Sequence, residues 1–378
     1  MVHARRNGIL MGGALTTLWL AVGCVPMKPA SGQVGPPPRT TVPARMAPQL
    51  IGAPQDWLNT KGKALQIRPG TVYLIDFWEY TCLNCLRTLP YLKEWNRRYA
   101  RYGLVIVGIH TPEFAFAARP ANVARAVQRL GITYPVLLDS SYRNWQAWQG
   151  DQGYWPRKFL VNADGVIVYD HAGEGGYAAT ELEIQRLLHQ LHPGLTFPRP
   201  VVPLRPEDRS GAVCYPVTPE VYAGYRGHIQ GQLGNVKDWR EGAISFYAPE
   251  APVEDGRIYL VGTWQTSREC LRHARTTRNL EDRLMLRYHA LGCNAVVKSS
   301  TGVPFRLYVW QDGRPVPKQD AGADVRTDAA GRTYVWVDSP RMYRLVQNHA
   351  FGRHVLELAS DAPDFELYSF TFSSCVAR

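Results

Sequence analysis

The chain has 378 residues, of which 45% are hydrophobic and 20% charged, a composition that excludes a disordered chain and supplies enough apolar material for two domain cores. The net charge of +11 sits mostly in the first 202 residues, and no nucleic-acid-binding motif accompanies it, so nucleic acid is not an expected partner. No stretch of the body reaches the ~18 apolar residues that span a bilayer.

Arg5 and Arg6 precede a short, mostly apolar stretch from Gly8 to Gly23, the order of a secretory signal over residues 1–23. The run Leu20-Ala21-Val22-Gly23-Cys24 resembles the lipobox of bacterial lipoproteins. That resemblance makes Cys24 the candidate lipidation site and implies an exported chain, periplasmic or at the cell surface, held at the membrane by a lipid anchor. Residues 24–48 are proline-rich and lack apolar periodicity, so they read as a semi-extended tether.

From 49 to 192 strand and helix signals alternate. Val72 to Phe77 is a short buried-type strand, and Leu86 to Tyr102 has helical spacing with apolar Leu89, Leu92, Trp95 and Tyr99. Leu104 to Ile109 is an uninterrupted apolar run, the pattern of a strand covered on both faces. Arg119 to Leu130 reads as a helix stopped by Gly131, and Pro135 to Asp139 as a short strand. Lys158 to Val161 and Val166 to Tyr169 flank Asn162-Ala163-Asp164-Gly165, a hairpin turn. A closing helix over Thr180 to Leu191 has Thr180 as its expected cap, with Glu183 completing a capping box. The basic residues Lys93, Arg97, Arg98 and Arg101 read as a solvated helix face, with a docking surface for an acidic partner or an anionic membrane as the alternative. Residues 193–212 are again proline-rich and mark a linker. From 213 to 378 short β-rich runs, such as Ile258 to Val261, Ala295 to Lys298 and Phe305 to Trp310, alternate with Gly and Pro, which points to an antiparallel β-sandwich.

Seven cysteines occur. Cys82-Leu83-Asn84-Cys85 has C-x-x-C spacing, which serves either a redox dithiol or half a zinc site. No second pair stands at zinc-finger spacing, so no metal and no other cofactor is expected. The motif follows a buried strand and opens a helix, where unsatisfied N–H groups and the helix dipole stabilise a thiolate. Cys82 is therefore the expected nucleophile and Cys85, one turn in, the resolving thiol. With Cys24 assigned to lipid, Cys214, Cys270, Cys293 and Cys375 remain, an even number that reads as two structural disulfides in an exported domain. Three pairings are open. The tendency of domain termini to meet favours Cys214–Cys375, which leaves Cys270–Cys293 to hold the basic stretch Arg272 to Arg287.

The segment Asp76-Phe77-Trp78-Glu79-Tyr80-Thr81-Cys82-Leu83-Asn84-Cys85, with Pro90 eight residues after Cys82, resembles the active-site segment of thioredoxins. The resemblance implies an α/β thioredoxin fold, a mixed central sheet flanked by helices, and an enzyme that exchanges disulfides on protein substrates. It also implies that Asp76 manages protons, that Trp155-Pro156 is the cis-proline shelf beside the active site, and that Trp78 and Trp155 contact substrate. Glu79 and Glu113 are further candidates for a proton relay. Within the family, Gly108-Ile109-His110-Thr111-Pro112-Glu113-Phe114, Gly173-Glu174-Gly175, Pro219 to Tyr225 and Tyr368 to Phe372 resemble the DipZ-type, TlpA-like branch. That branch implies a carbohydrate-binding-module-like second domain, with carbohydrate as a candidate ligand, and a membrane electron donor of the DsbD/CcdA type. Trp239, Trp264, Trp310 and Trp336 are the residues that could stack on sugars; core packing is the alternative use for each. A thiol peroxidase would need T-x-x-C, but Glu79 stands three residues before Cys82. A glycan-binding surface lipoprotein with secondary redox activity is the other alternative.

Overall fold

A computed structural model describes residues 45–251 and 253–376. The expected signal peptide and Cys24 lie outside the described residues. The first domain is a seven-stranded mixed sheet. Its strands are β1 (Arg45–Met46), β2 (Trp57–Leu58), β3 (Val72–Trp78), β4 (Leu104–His110), β5 (Val136–Leu138), β6 (Arg157–Val161) and β7 (Val166–Ala172), and their spatial order is β1-β7-β6-β3-β4-β5-β2. Four helices accompany them: α1 (Leu83–Tyr99), α2 (Pro120–Arg129), α3 (Arg143–Gln149) and α4 (Tyr177–Leu191). β3 pairs parallel with β4 and antiparallel with β6. Every residue of β3 is buried because both faces of the sheet are covered, the condition under which strands become continuous apolar runs. β1 extends the sheet into Arg45–Met46, part of the expected tether.

Two local expectations change. α4 starts at Tyr177 behind Gly176, and the Thr180 hydroxyl lies inside the helix, donating to the Gly176 carbonyl. Gly176 takes a positive φ, so the turn there starts the helix without a side-chain cap. α3, which the sequence reading lacked, is seated by Asp139, whose carboxylate accepts from the backbone N–H groups of Asn144 and Trp145.

The second domain contains β8 (Val213–Cys214), β9 (Val221–Tyr222), a short helix α5 (Tyr225–Ile229), β10 (Ile244–Tyr247), β11 (Ile258–Thr266), β12 (Leu271–His273), β13 (Arg283–Ser299), β14 (Phe305–Gln311), β15 (Arg314–Pro315), β16 (Val325–Thr327), β17 (Thr333–Val337), β18 (Arg341–Ala359), β19 (Phe365–Ser373) and β20 (Cys375–Val376). β8 and β20 form a small separate pair; the others join one antiparallel sheet. The sandwich arises because this sheet folds over itself along the long antiparallel pair β13 and β18. In β13 the residues facing the core are Leu284, Leu286, Tyr288 and Ala290, then Cys293, Ala295 and Val297. The parity switches at register shifts between Ala290 and Cys293, as a β-bulge demands if both halves of a strand are to feed one core.

The bridge Cys214–Cys375 is present, joining β8 to β20 at the two ends of this domain. The expected Cys270–Cys293 bridge is absent: both are buried free thiols. Cys270 precedes Leu271, which pairs with Leu367 on β19, whereas Cys293 pairs with Phe372 of the same strand. Those positions are roughly 16 Å apart along the strand, well beyond the ~7 Å Cα reach of a disulfide. The stretch 272–287 is held instead by β12, β13 and the buried carboxylate of Asp282, which accepts from Arg275 and the Thr263 N–H and contacts His273.

The linker is tied down along α1 and α4. Phe197 packs edge-on against Tyr99 and Tyr102, the Val201 N–H donates to Glu181, and the Tyr91 hydroxyl donates to Asp208. Phe114 and Phe116 pack against Tyr368 at 5.2 and 4.7 Å. Val296, Met342 and Tyr368 of the second domain thereby join the core of the first.

Candidate active site

Cys82 is the N-cap of α1. Its sulfur accepts from the Cys85 N–H at 3.2 Å, and this is the geometry in which a helix terminus stabilises a thiolate. Cys82 is half-buried, whereas Cys85 is 1% exposed. The pair is in its disulfide form, with a Cα separation of 5.3 Å. An attacking thiol must reach a partner and a resolving thiol need only reach its neighbour, so the burial asymmetry matches the two roles.

Asp76 is buried on β3, the strand that leads into α1. Burial pushes its carboxyl up to about 7, with the ammonium of Lys158 as the opposing influence. Lys158, itself 0% exposed, is the register partner of Asp76 on β6 and donates to the Gly173 carbonyl at 2.9 Å. Burial pulls its pKa down. The buried acid and buried base thus sit side by side in a medium that disfavours charge on either. Lys158 was not singled out from sequence, although a lysine heading the apolar run Phe159-Leu160-Val161, two residues after Pro156, was a visible signal.

The peptide bond Trp155–Pro156 is cis. Trp155 is half-buried, packs against Trp145 at 4.3 Å between ring centroids, and lines a cavity of about 420 Å³ together with Cys82, Asn84 and Tyr154. Trp78 is a correction: it is 0% exposed, packed edge-on to His110 at 5.2 Å, and cannot contact substrate. β3 is central, so its last residue faces protein on both sides.

Glu79 is also fully buried. One carboxylate oxygen accepts from the Thr81 N–H at 2.6 Å and from the Thr81 hydroxyl, and the other faces His110 Nε2 at 3.7 Å. The Tyr80 ring stacks on His110, 5.4 Å between centroids. Glu113 lies on the cavity wall, where it accepts from the Tyr222 hydroxyl at 2.8 Å and from Arg226 at 3.4 Å. Burial, with Glu220 and Glu79 adding repulsion, pushes its pKa up to about 8. Burial likewise raises Glu220. Glu220, Tyr222, Arg226 and Phe372 belong to the second domain, so the cavity at the cysteines is walled by both domains. None of these four was chosen from sequence, because nothing local marks a residue that a distant domain brings to a site.

Of the four tryptophans considered for sugar stacking, Trp310 and Trp336 share one face of the paired strands β14 and β17, and the other two lie elsewhere. Trp264 is core, with its indole N–H donating to the Val261 carbonyl. Trp239 packs on His228, Trp310 stacks beside Tyr308, and Trp336 alone of the four is exposed. In the basic run, Arg97 and Arg98 pair with Glu94. No group of three His, Cys, Asp or Glu side chains among the described residues is placed to hold a metal.

Comparison with known proteins agrees with this architecture. Residues 55–184 match the redoxin family, and residues 218–373 match the thioredoxin like C-terminal domain. DipZ proteins of Mycobacterium bovis and Mycobacterium tuberculosis are 35% identical over 329 residues, 86% of this chain and 42% of theirs. The chain therefore spans less than half the length of these relatives. The thiol-disulfide oxidoreductase YkuV of Bacillus subtilis is 26% identical over 141 residues, 37% of this chain and 93% of its own. A thiol:disulfide interchange protein of the thioredoxin family from Chlorobium tepidum superposes over 39% of this chain and 99% of its own, with 22% identity and a TM-score of 0.31. The two domain matches, the DipZ identity running through both, and the placement of Cys82 and Cys85 make the chain similar to the DipZ proteins, with a redoxin domain followed by a thioredoxin like C-terminal domain.

Proposed function

We propose that the chain is an exported thiol–disulfide oxidoreductase that reduces protein disulfides. The observation that carries this reading is the half-exposed Cys82 at the N-terminus of α1 with Cys85 buried one turn behind it. In the reduced enzyme the Cys82 thiolate attacks a substrate disulfide. A mixed disulfide forms, and one substrate sulfur leaves as a thiolate that takes a proton. Cys85, deprotonated with the help of Asp76, then attacks the Cys82 sulfur. The second substrate sulfur leaves as a thiolate and takes a proton, so the two electrons end on the substrate thiols and the enzyme is left as the Cys82–Cys85 disulfide. A membrane dithiol donor of the DsbD/CcdA type resets the pair. Trp155 and Pro156 form the shelf against which the substrate chain lies, and Glu113 is a carboxyl on the cavity wall available for proton exchange.

The signal-like N-terminus and Cys24 support placement outside the cytoplasm on a lipid anchor. Glycan binding by the second domain is a weaker reading, since Trp264 is core and Trp239 packs on His228, which leaves Trp310 and Trp336 on the shared face of β14 and β17. Insulin reduction tests the main proposal. Cys82→Ser abolishes turnover, and Cys85→Ser accumulates mixed disulfides that dithiothreitol releases. Full turnover by Cys82→Ser sinks the proposal. A reduction potential near about −270 mV identifies a reductant, and one near about −120 mV an oxidant.

A further inference from the structure

A second cavity, of about 660 Å³, lies on the seam between the domains, away from the cysteines. Its walls carry five cationic side chains, Arg119, Arg125, Arg129, Lys298 and Arg341, against one carboxylate, Asp338. Two of the five are neutralised locally: Lys298 by Glu366 and Arg341 by Asp324. The side chains of Arg119, Arg125 and Arg129 make no hydrogen bond or ion pair among the described residues. Arg125 and Arg129 stand four residues apart on α2 and therefore share a face, and Arg119 caps the start of that helix. Opposite them are the β13–β14 turn, with Ser300 and Thr301, and the β17–β18 turn, with Ser339 and Pro340.

Like charges gathered on one wall repel: Arg129 is exposed, yet partial desolvation together with Arg341 holds its guanidinium below its usual pKa. Such an arrangement is unfavourable when empty and becomes favourable when an anion enters. Three guanidinium forks present more N–H groups than the two oxygens of a carboxylate can accept, whereas a tetrahedral oxyanion offers three or four acceptors. The volume matches that of a small-molecule site and is confined by two domains.

We propose that this interdomain cavity binds a small ligand bearing a phosphate or sulfate group, held by Arg119, Arg125 and Arg129 from the first domain and bounded by Arg341 from the second. The ligand bridges α2 and the turns of the second domain, a role separate from disulfide exchange at Cys82.

The test uses the full oxidised chain, titrated calorimetrically with inorganic phosphate, sulfate, pyrophosphate and glucose 1-phosphate in chloride buffer at constant ionic strength. Saturable binding is expected for at least one of these anions, with a matching rise in the thermal midpoint. Arg125→Gln/Arg129→Gln weakens it on the order of 10-fold or more. In chloride alone the same variant melts at or above the parent temperature, because repulsion is relieved, and its insulin reduction is unchanged. A phosphomonoester binding at least tenfold tighter than inorganic phosphate assigns the cavity to an organic phosphate; equal affinities assign it to the free anion. No binding of any probe up to about 10 mM, a range that covers weak millimolar sites, overturns the proposal. So does binding that survives the double substitution undiminished.

Discussion

Replacing Asp76 by asparagine tests the buried acid–base pair. The carboxyl is pushed from 3.8 to about 7 by burial. Between those pH values the folded protein holds a proton that the unfolded chain has released. Stability is therefore fully present below pH 4 and falls as pH rises, by up to ~1.4 kcal/mol per pH unit and by roughly 4 kcal/mol in all by pH 7 to 8. The asparagine side chain keeps the volume and never ionises, so this loss disappears. The neighbouring Lys158 acts in the same direction. Its pKa is depressed by burial and supported by Asp76. Without that carboxylate it sheds its proton at lower pH, and shedding a buried charge adds stability as pH rises toward 10.5. Urea denaturation of the oxidised protein from pH 4 to 8 should show Asp76→Asn about as stable as the parent at pH 4, then pulling ahead by a few kcal/mol at pH 8. The variant should also slow disulfide exchange, because deprotonation of Cys85 loses its acceptor. Adding Lys158→Met removes both titrations and should leave only the slope set by other shifted groups, Glu113 among them. Parallel curves for parent and Asp76→Asn would refute the raised carboxyl and with it the proton-handling role.

Phe116→Ala removes a ring packed against Tyr368 and Phe114 at the domain seam and should destabilise the whole unit by ~3 kcal/mol in denaturant titrations. Cys214→Ser opens the bridge between residues 161 apart in sequence; the chain-entropy model predicts a loss of up to ~5 kcal/mol, read as a lower urea midpoint than that of the dithiothreitol-free parent. Burial pushes the Cys270 thiol up to about 12 and the Cys293 thiol higher still, so neither should react with iodoacetamide at pH 8 in the native protein. Both should alkylate fully in 6 M guanidinium, a concentration above the usual ~5 M limit of even hyperstable domains. Tyr222→Phe removes the donor to Glu113. Because that bond lowers the Glu113 pKa, the pH profile of Cys82 alkylation should shift upward if Glu113 serves the cysteines, and stay unmoved if the contact only joins the domains.

The order of strands and helices around the redox motif was legible in the chain because each signal there is local. Val72 to Phe77 and Leu104 to Ile109 are apolar throughout, as strands covered on both faces must be, and the C-x-x-C pair sits where strand gives way to helix. Trp155-Pro156 came instead from the resemblance to thioredoxins, and the Cys214–Cys375 pairing from the tendency of domain termini to meet. Local periodicity said nothing, however, about what happens when one long sheet folds over itself. A bulge in β13 resets the parity of its inward residues, and Cys270 and Cys293 meet β19 from different strands at different positions along it. Trp78 carried the right motif position but ends a central strand, and only the packing of His110 and Gly108 around it shows that it is sealed from substrate. Residues of the second domain that wall the cysteines, and the arginines that line the other cavity, are separated by more than a hundred positions from what they face. Proximity across such a separation is a property of the packed seam at Phe114, Phe116 and Tyr368, so the tertiary structure alone decides it.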